Sequence, residues 1–167
     1  MDIKFESAFS SSRPEYRVII LGAGKNTSGN IPSAMVSVDK KNRVLDWILN
    51  AFSILPEHDV CFVGGYKANI VEEIYPDIRF YFNSNWHSTG TIKSLSLVPL
   101  SSTMSIYVCY SDIVFRQDII EKMEISNCDV VIAVDTDWKV RYKARSRKDL
   151  DNAEKLIIQD RTVVNFS

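Results

Sequence analysis

Apolar and polar positions follow two periods along the chain, and the switches between them lay out its elements. Val18, Ile19, Ile20 and Leu21 form a short apolar run that breaks into Gly22, Ala23 and Gly24, then into a polar loop ending at Pro32. Such a run bounded by turn residues reads as a buried strand. Residues 43–54 place Val44, Leu45, Ile48, Leu49 and Phe52 at helical spacing, with Trp47 and Ala51 widening the stripe. This is the pattern of an amphipathic helix. Further strands are expected at 60–63, 78–82, 105–110, 130–134 and 162–166. Further helices are expected at 69–75, across Ile92, Leu95 and Val98, at 117–125 and at 150–158. The alternation predicts an α/β domain with a mostly parallel sheet between helices.

All six glycines fall in three loops: Gly22, Gly24 and Gly29, then Gly64 and Gly65, then Gly90. Those loops follow strands, so they are expected to gather at the carboxyl edge of the sheet, where open α/β folds bind ligands. In the first loop, small residues let backbone N–H groups come close to an anion, and Lys25 adds a positive charge. A bound nucleoside triphosphate and an ordinary glycine-rich turn both satisfy this spacing. The dinucleotide fingerprint fails, because Thr27 stands where its third glycine belongs. The P-loop fails as well, because Gly29 is followed by Asn30 and Ile31.

Composition narrows the setting. A chain of 167 residues with 46% hydrophobic content suffices for one domain with a real core, expected over residues 17–167 behind a flexible leader at 1–16. The net charge of −1 gives no general drive toward nucleic acid or an anionic membrane. The leader lacks the apolar core of a secretory signal, and no stretch reaches transmembrane length, so the expected compartment is the cytoplasm. Cys61, Cys109 and Cys128 are widely spaced, which favours buried thiols over a disulfide or zinc site.

The candidate chemistry lies at strand ends. Asp112 follows the strand at 105–110 and either holds Mg²⁺ against a triphosphate or caps the next turn. Asp135 and Asp137 repeat the pattern in VDTDW. They either complete a metal site, contact a cationic substrate or serve as turn residues. Trp138 and Tyr142 stand among Arg141, Lys143, Arg145, Arg147 and Lys148, a cluster that suits either a phosphate or phosphonate grip or a solvated face. His58 and His87 are too far apart for a metal pair, and no nucleophile elbow appears.

The segments LGAGKNTSGNIPSAMVSV, RVLDWILNAF, VGGY, NSNWHSTGTIKSL and YSDIVF together resemble the nucleotidyltransferases with a Rossmann-like, three-layer α/β/α sheet. VVIAVDTDWKVRYKAR looks most like the branch associated with phosphoenolpyruvate mutases and phosphonate tailoring, near the phosphocholine cytidylyltransferases. The similarity spans residues 17–158. It implies that Leu21, Gly22, Ala23, Gly24 and Lys25 surround the nucleotide phosphates, with Ser88, Thr89 and Gly90 beside the base or ribose. It further implies Lys25 and Asp112 as catalytic residues, Asp112 and Asp135 as Mg²⁺ ligands, and Asp137, Trp138 and Arg141 at the acceptor. The implied reaction moves a nucleotidyl group, CMP from CTP, onto a small phosphonate or phosphocholine-like acceptor with release of pyrophosphate. A sugar-1-phosphate acceptor and a non-catalytic nucleotide-binding module are the alternatives. The commoner family signature carries an arginine in the glycine loop and a lysine after the proline, where this chain has Lys25 and Ser33. The family's second metal-binding aspartate has two stand-ins here, Asp135 or Asp137, unless further domains of a larger protein supply it.

Overall fold

The computed structural model describes residues 15–25, 29–151, 153–160 and 162–166. Most of the expected leader and part of the first glycine loop therefore lie outside the described residues. The chain divides into two compact units, with the boundary between Asp129 and Val130. The alternation of elements gave no sign of that division.

The first unit contains β1 (Tyr16–Gly22), α1 (Val44–Phe52), β2 (His58–Gly64), α2 (Ala68–Ile74), β3 (Arg79–Phe82), α3 (Thr91–Leu95), β4 (Ser105–Tyr110) and α4 (Gln117–Glu124), with a single 3-10 turn at Ser33–Met35. Its four strands lie in the order β3-β2-β1-β4, and every pairing is parallel. β1 sits between two neighbours, and its residues from Val18 to Leu21 are buried. This explains the continuous apolar run, since a parallel strand covered on both faces has no solvent side to alternate toward.

The pleat sends its side chains to two cores. Val18 and Ile20 pack with Leu45, Ile48 and Phe52 of α1, Val71 of α2 and Ile120 of α4. Ile19 and Leu21 join Cys61, Val63 and Val98 on the opposite face, where Leu95 and Leu97 pack against them. Helical segments thus cover both faces, giving the three layers the sequence suggested. Asp46 holds the start of α1 by accepting the Arg43 backbone N–H at 2.7 Å, and it also accepts the Tyr75 hydroxyl at 2.8 Å.

The second unit holds α5 (Trp138–Arg141), α6 (Arg147–Asp151), β5 (Leu156–Gln159) and β6 (Thr162–Phe166), the last two paired antiparallel. Two expectations fail here. Residues 130–134 are not a strand, because a strand needs a partner for its backbone groups and no segment among the described residues pairs with them. Val130 is 78% exposed. The expected helix at 150–158 ends at Asp151, and Leu156, Ile157 and Ile158 enter the hairpin instead. The β-branched side chains of Ile157 and Ile158 suit a strand, and Asp160 adopts the left-handed φ of 47° that a tight turn requires. The cysteine reading also needs correction at one position. Cys61 is buried and Cys109 half-buried, but Cys128 is exposed. No helix among the described residues is long and apolar enough to cross a membrane.

Candidate nucleotide-binding cleft

The chain leaves β1 toward β2 on one side, and later crosses back to place β4 on the other side of β1. Two loops therefore part at the carboxyl ends of β1 and β4, leaving a crevice there. A cleft of about 370 Å³ occupies that place, lined by Leu21, Gly22, Ala23, Gly24 and Lys25 after β1 and by Tyr110, Ser111 and Asp112 after β4. Trp86, Thr89, Gly90, Thr91 and Ser94 close it from the segment following β3, and Ser33 lines it as well.

Backbone contacts fix these walls. Leu21 lies opposite Tyr110 in the sheet register, and the Ser111 N–H donates to the Leu21 carbonyl at 3.1 Å. This carries the β4 pairing one residue further and brings Asp112 to the cleft. On the other side, the Tyr66 N–H donates to the Ala23 carbonyl at 2.9 Å, and the Asn83 N–H to the Gly64 carbonyl at 2.8 Å. Gly65 is required by close approach, because an added Cβ would lie 2.5 Å from the Ala23 oxygen and 2.6 Å from the Trp86 Cβ. Gly24 and Gly90 differ. An added Cβ at either would meet no atom of the described residues within 4 Å, so their packing does not demand glycine there and leaves space for a ligand.

Cationic and aromatic groups gather beside the first loop. The Lys25 ammonium lies 5.4 Å from the Tyr66 ring centroid, and Tyr66 meets Trp86 edge-on at 5.6 Å. Lys67, 5.5 Å from the same centroid, donates to the Asn30 carbonyl at 2.6 Å. The cleft thus offers small-residue backbone and an ammonium group on one wall and the Asp112 carboxylate on the other.

The residues present suit a divalent cation in one specific way. Asp112 supplies a hard carboxylate oxygen, but no group of three His, Cys, Asp or Glu side chains among the described residues surrounds a common point. Mg²⁺ is commonly held by one or two carboxylates together with substrate phosphates. The set therefore fits a cation that arrives with a triphosphate.

Of the residues singled out from sequence, Leu21, Gly22, Ala23, Gly24, Lys25, Thr89, Gly90 and Asp112 come together in this cleft. Ser88 does not line it, and its backbone N–H is turned to the Asn85 carbonyl at 3.0 Å. Asp135, Asp137, Trp138 and Arg141 belong to the second unit. There Arg141 binds Asp135 at 2.6 Å, and the Asp137 N–H donates to the same carboxylate at 3.0 Å. The guanidinium of Arg141 holds the Asp135 carboxyl below its ordinary range. Trp138 meets Tyr142 edge-on at 5.8 Å.

Sequence reasoning missed Ser33, Trp86, Thr91, Ser94, Tyr110 and Ser111 as cleft residues. Tyr110 and Ser111 were within reach of it, since they immediately precede Asp112 at the same strand end.

No protein-family model matches the chain. Over 152 residues it is 25% identical to a CTP:phosphoglutamine cytidylyltransferase of Campylobacter jejuni, an alignment covering 83% of this chain and 60% of that protein. The chain thus spans 60% of the length of the curated relative it matches. A solved structure of the CTP:phosphocholine cytidylyltransferase of Streptococcus pneumoniae aligns with a TM-score of 0.47 at 23% identity, covering 62% of this chain and 50% of that one.

Proposed function

We propose that this chain is the nucleotide-binding part of a cytoplasmic, Mg²⁺-dependent cytidylyltransferase that transfers CMP from CTP to a small phosphonate or phosphocholine-like acceptor, not to a sugar 1-phosphate. The observation that carries the reading is the convergence of the Leu21–Lys25 loop, Thr89, Gly90 and Asp112 in one cleft at the carboxyl edge of the parallel sheet. Similarity to a CTP-dependent relative supports the choice of nucleotide.

An acceptor phosphate or phosphonate oxygen forms a bond to the α-phosphorus of CTP, the bond from that phosphorus to the bridging oxygen breaks, and pyrophosphate leaves with the electron pair. No protein nucleophile is needed, so the chain's contribution is alignment and charge. Backbone amides of Gly22, Ala23 and Gly24 approach the phosphates, and Lys25 balances their charge. Asp112 would hold a divalent cation carried in by the nucleotide, and such a cation would supply charge neutralisation at the phosphate oxygens. Asp137, Trp138 and Arg141 are proposed for the acceptor, and Asp135 as a further metal ligand.

The Asp135–Arg141 ion pair favours a second reading, a nucleotide-binding module without turnover, because it occupies both a proposed metal ligand and a proposed acceptor contact. Pyrophosphate release separates the two. CTP with Mg²⁺ is offered alongside phosphocholine, phosphoglutamine, an aminoalkyl phosphonate and glucose 1-phosphate. Release with one of the first three is expected. Release with the sugar phosphate alone contradicts the acceptor class, and CTP binding without release from any acceptor selects the non-catalytic module.

A further inference from the structure

Asn83 directly follows β3 and is 3% exposed, and every hydrogen-bonding group of its side chain is engaged. Its Oδ1 accepts the Asn85 backbone N–H at 3.1 Å. Only an oxygen can meet that donor, so the orientation of the amide is fixed by its partners. Nδ2 consequently faces two hydroxyls and donates to Thr89 Oγ1 and to Ser94 Oγ, each at 3.0 Å.

The two hydroxyls are then left in different states. Thr89 donates its own hydrogen to the Asn85 carbonyl at 2.9 Å, so it is spent within the loop. Ser94 is 5% exposed, lines the cleft, and already receives a hydrogen from Asn83 on its oxygen. No hydrogen bond among the described residues uses the Ser94 hydrogen. A buried hydroxyl that accepts on one side must send its hydrogen elsewhere, and a donor with no partner in the protein is costly unless a ligand or water meets it.

We propose that Asn83 is a positioning residue that directs the Ser94 hydroxyl hydrogen into the cleft, making Ser94 a donor to an oxygen or nitrogen atom of the bound nucleotide. The inference rests on the nucleotide reading of this cleft. It assigns functions to two residues outside the phosphate loop and away from Asp112. It also explains why a fully used amide stands where the chain leaves β3, since the same side chain fixes the loop and sets the polarity of one cleft wall.

Asn83→Asp tests it with almost no change of shape. The new carboxylate accepts where the amide donated, so it captures the Ser94 hydrogen and removes the donor from the cleft. Calorimetric titration of the chain with CTP and Mg²⁺ is run on wild type, Asn83→Asp, Ser94→Ala and the double variant, with circular dichroism confirming each fold. Each single change is expected to weaken CTP by about tenfold or more, the scale of a hydrogen bond to a charged or buried partner. The double variant is expected to bind no more weakly than Asn83→Asp alone, because the donor it deletes has already been withdrawn.

Independent, multiplying losses overturn the proposal, since they mean the new charge acts by itself. CTP affinity unchanged in Ser94→Ala overturns it too, and this variant keeps the test open should Asn83→Asp not fold. If the wild-type chain binds no nucleotide, the cleft reading fails together with the inference. If wild type binds and the variants match it, the inference alone fails.

Discussion

The two units use similar apolar segments to different ends. In the first, β1 is held on both edges and covered on both faces, so Val18, Ile19 and Ile20 are wholly buried. In the second, an equally β-prone run at 130–134 pairs with no segment among the described residues, and Val130, Val140 and Ile157 are 78%, 74% and 49% exposed. Composition alone does not separate these segments. What separates them is the presence of partner strands and helices, so stability and ligand-site geometry are concentrated in the sheet of the first unit.

The sharpest break of this comparison is Ile20→Ala against Ile157→Ala. The first opens a cavity in the main core and should cost about 3–4 kcal/mol, while the second removes a half-exposed side chain and should cost about 1 kcal/mol or less. Urea unfolding of each variant measures both. Equal losses would mean that the hairpin carries as much of the fold as the sheet.

Glycine substitutions sharpen the contrast within the first unit. Gly65→Ala forces a Cβ against the Ala23 carbonyl and Trp86 and should cost about 1–3 kcal/mol. It should also disturb CTP binding, because both neighbours line the cleft. Gly24→Ala meets open space, so its stability should stay within about 0.5 kcal/mol of wild type while CTP binding weakens. A Gly24→Ala chain that binds CTP normally would remove this loop from the phosphate contacts.

High pH gives a smaller effect of known sign. Burial pushes the Cys61 thiol up to about 11 and the Cys109 thiol up to about 12. Burial also raises the Tyr107 hydroxyl, helped by its hydrogen bond to Glu124. The native state therefore holds these protons more tightly than the unfolded chain, whose thiols titrate near about 8.5. Their stabilisation is complete below that pH and is lost as pH rises through 11 and 12. The urea midpoint should fall steadily between about pH 9 and 11, and a flat midpoint would contradict the burial of these groups. Exposed Cys128 should react first with a thiol reagent at pH 8.

The smallest effect is expected at Asp135. Its solvent-exposed pair with Arg141 is open to screening, so Asp135→Asn should leave the unfolding midpoint nearly unchanged at high salt.

What the sequence disclosed follows the same divide. The order of elements in the first unit was readable because local periodicity and burial agree there, from the apolar run of β1 to the stripe of α1. The carboxyl-edge cleft was readable because the first glycine loop and Asp112 sit at the ends of β1 and β4. The strand expected at 130–134 and the helix expected at 150–158 were misread because their outcome depends on pairing, which periodicity does not contain. Ser94 was missed for a related reason. Its role comes from Asn83, eleven positions earlier, through a hydrogen bond that no spacing rule announces.

The most direct test of the central claim is calorimetric titration of the chain with CTP, with and without Mg²⁺, for wild type and Asp112→Ala. The account predicts Mg²⁺-dependent binding that weakens by about tenfold or more in the variant, the scale of losing one charged contact. Binding of equal strength in Asp112→Ala, or binding indifferent to Mg²⁺, would contradict it.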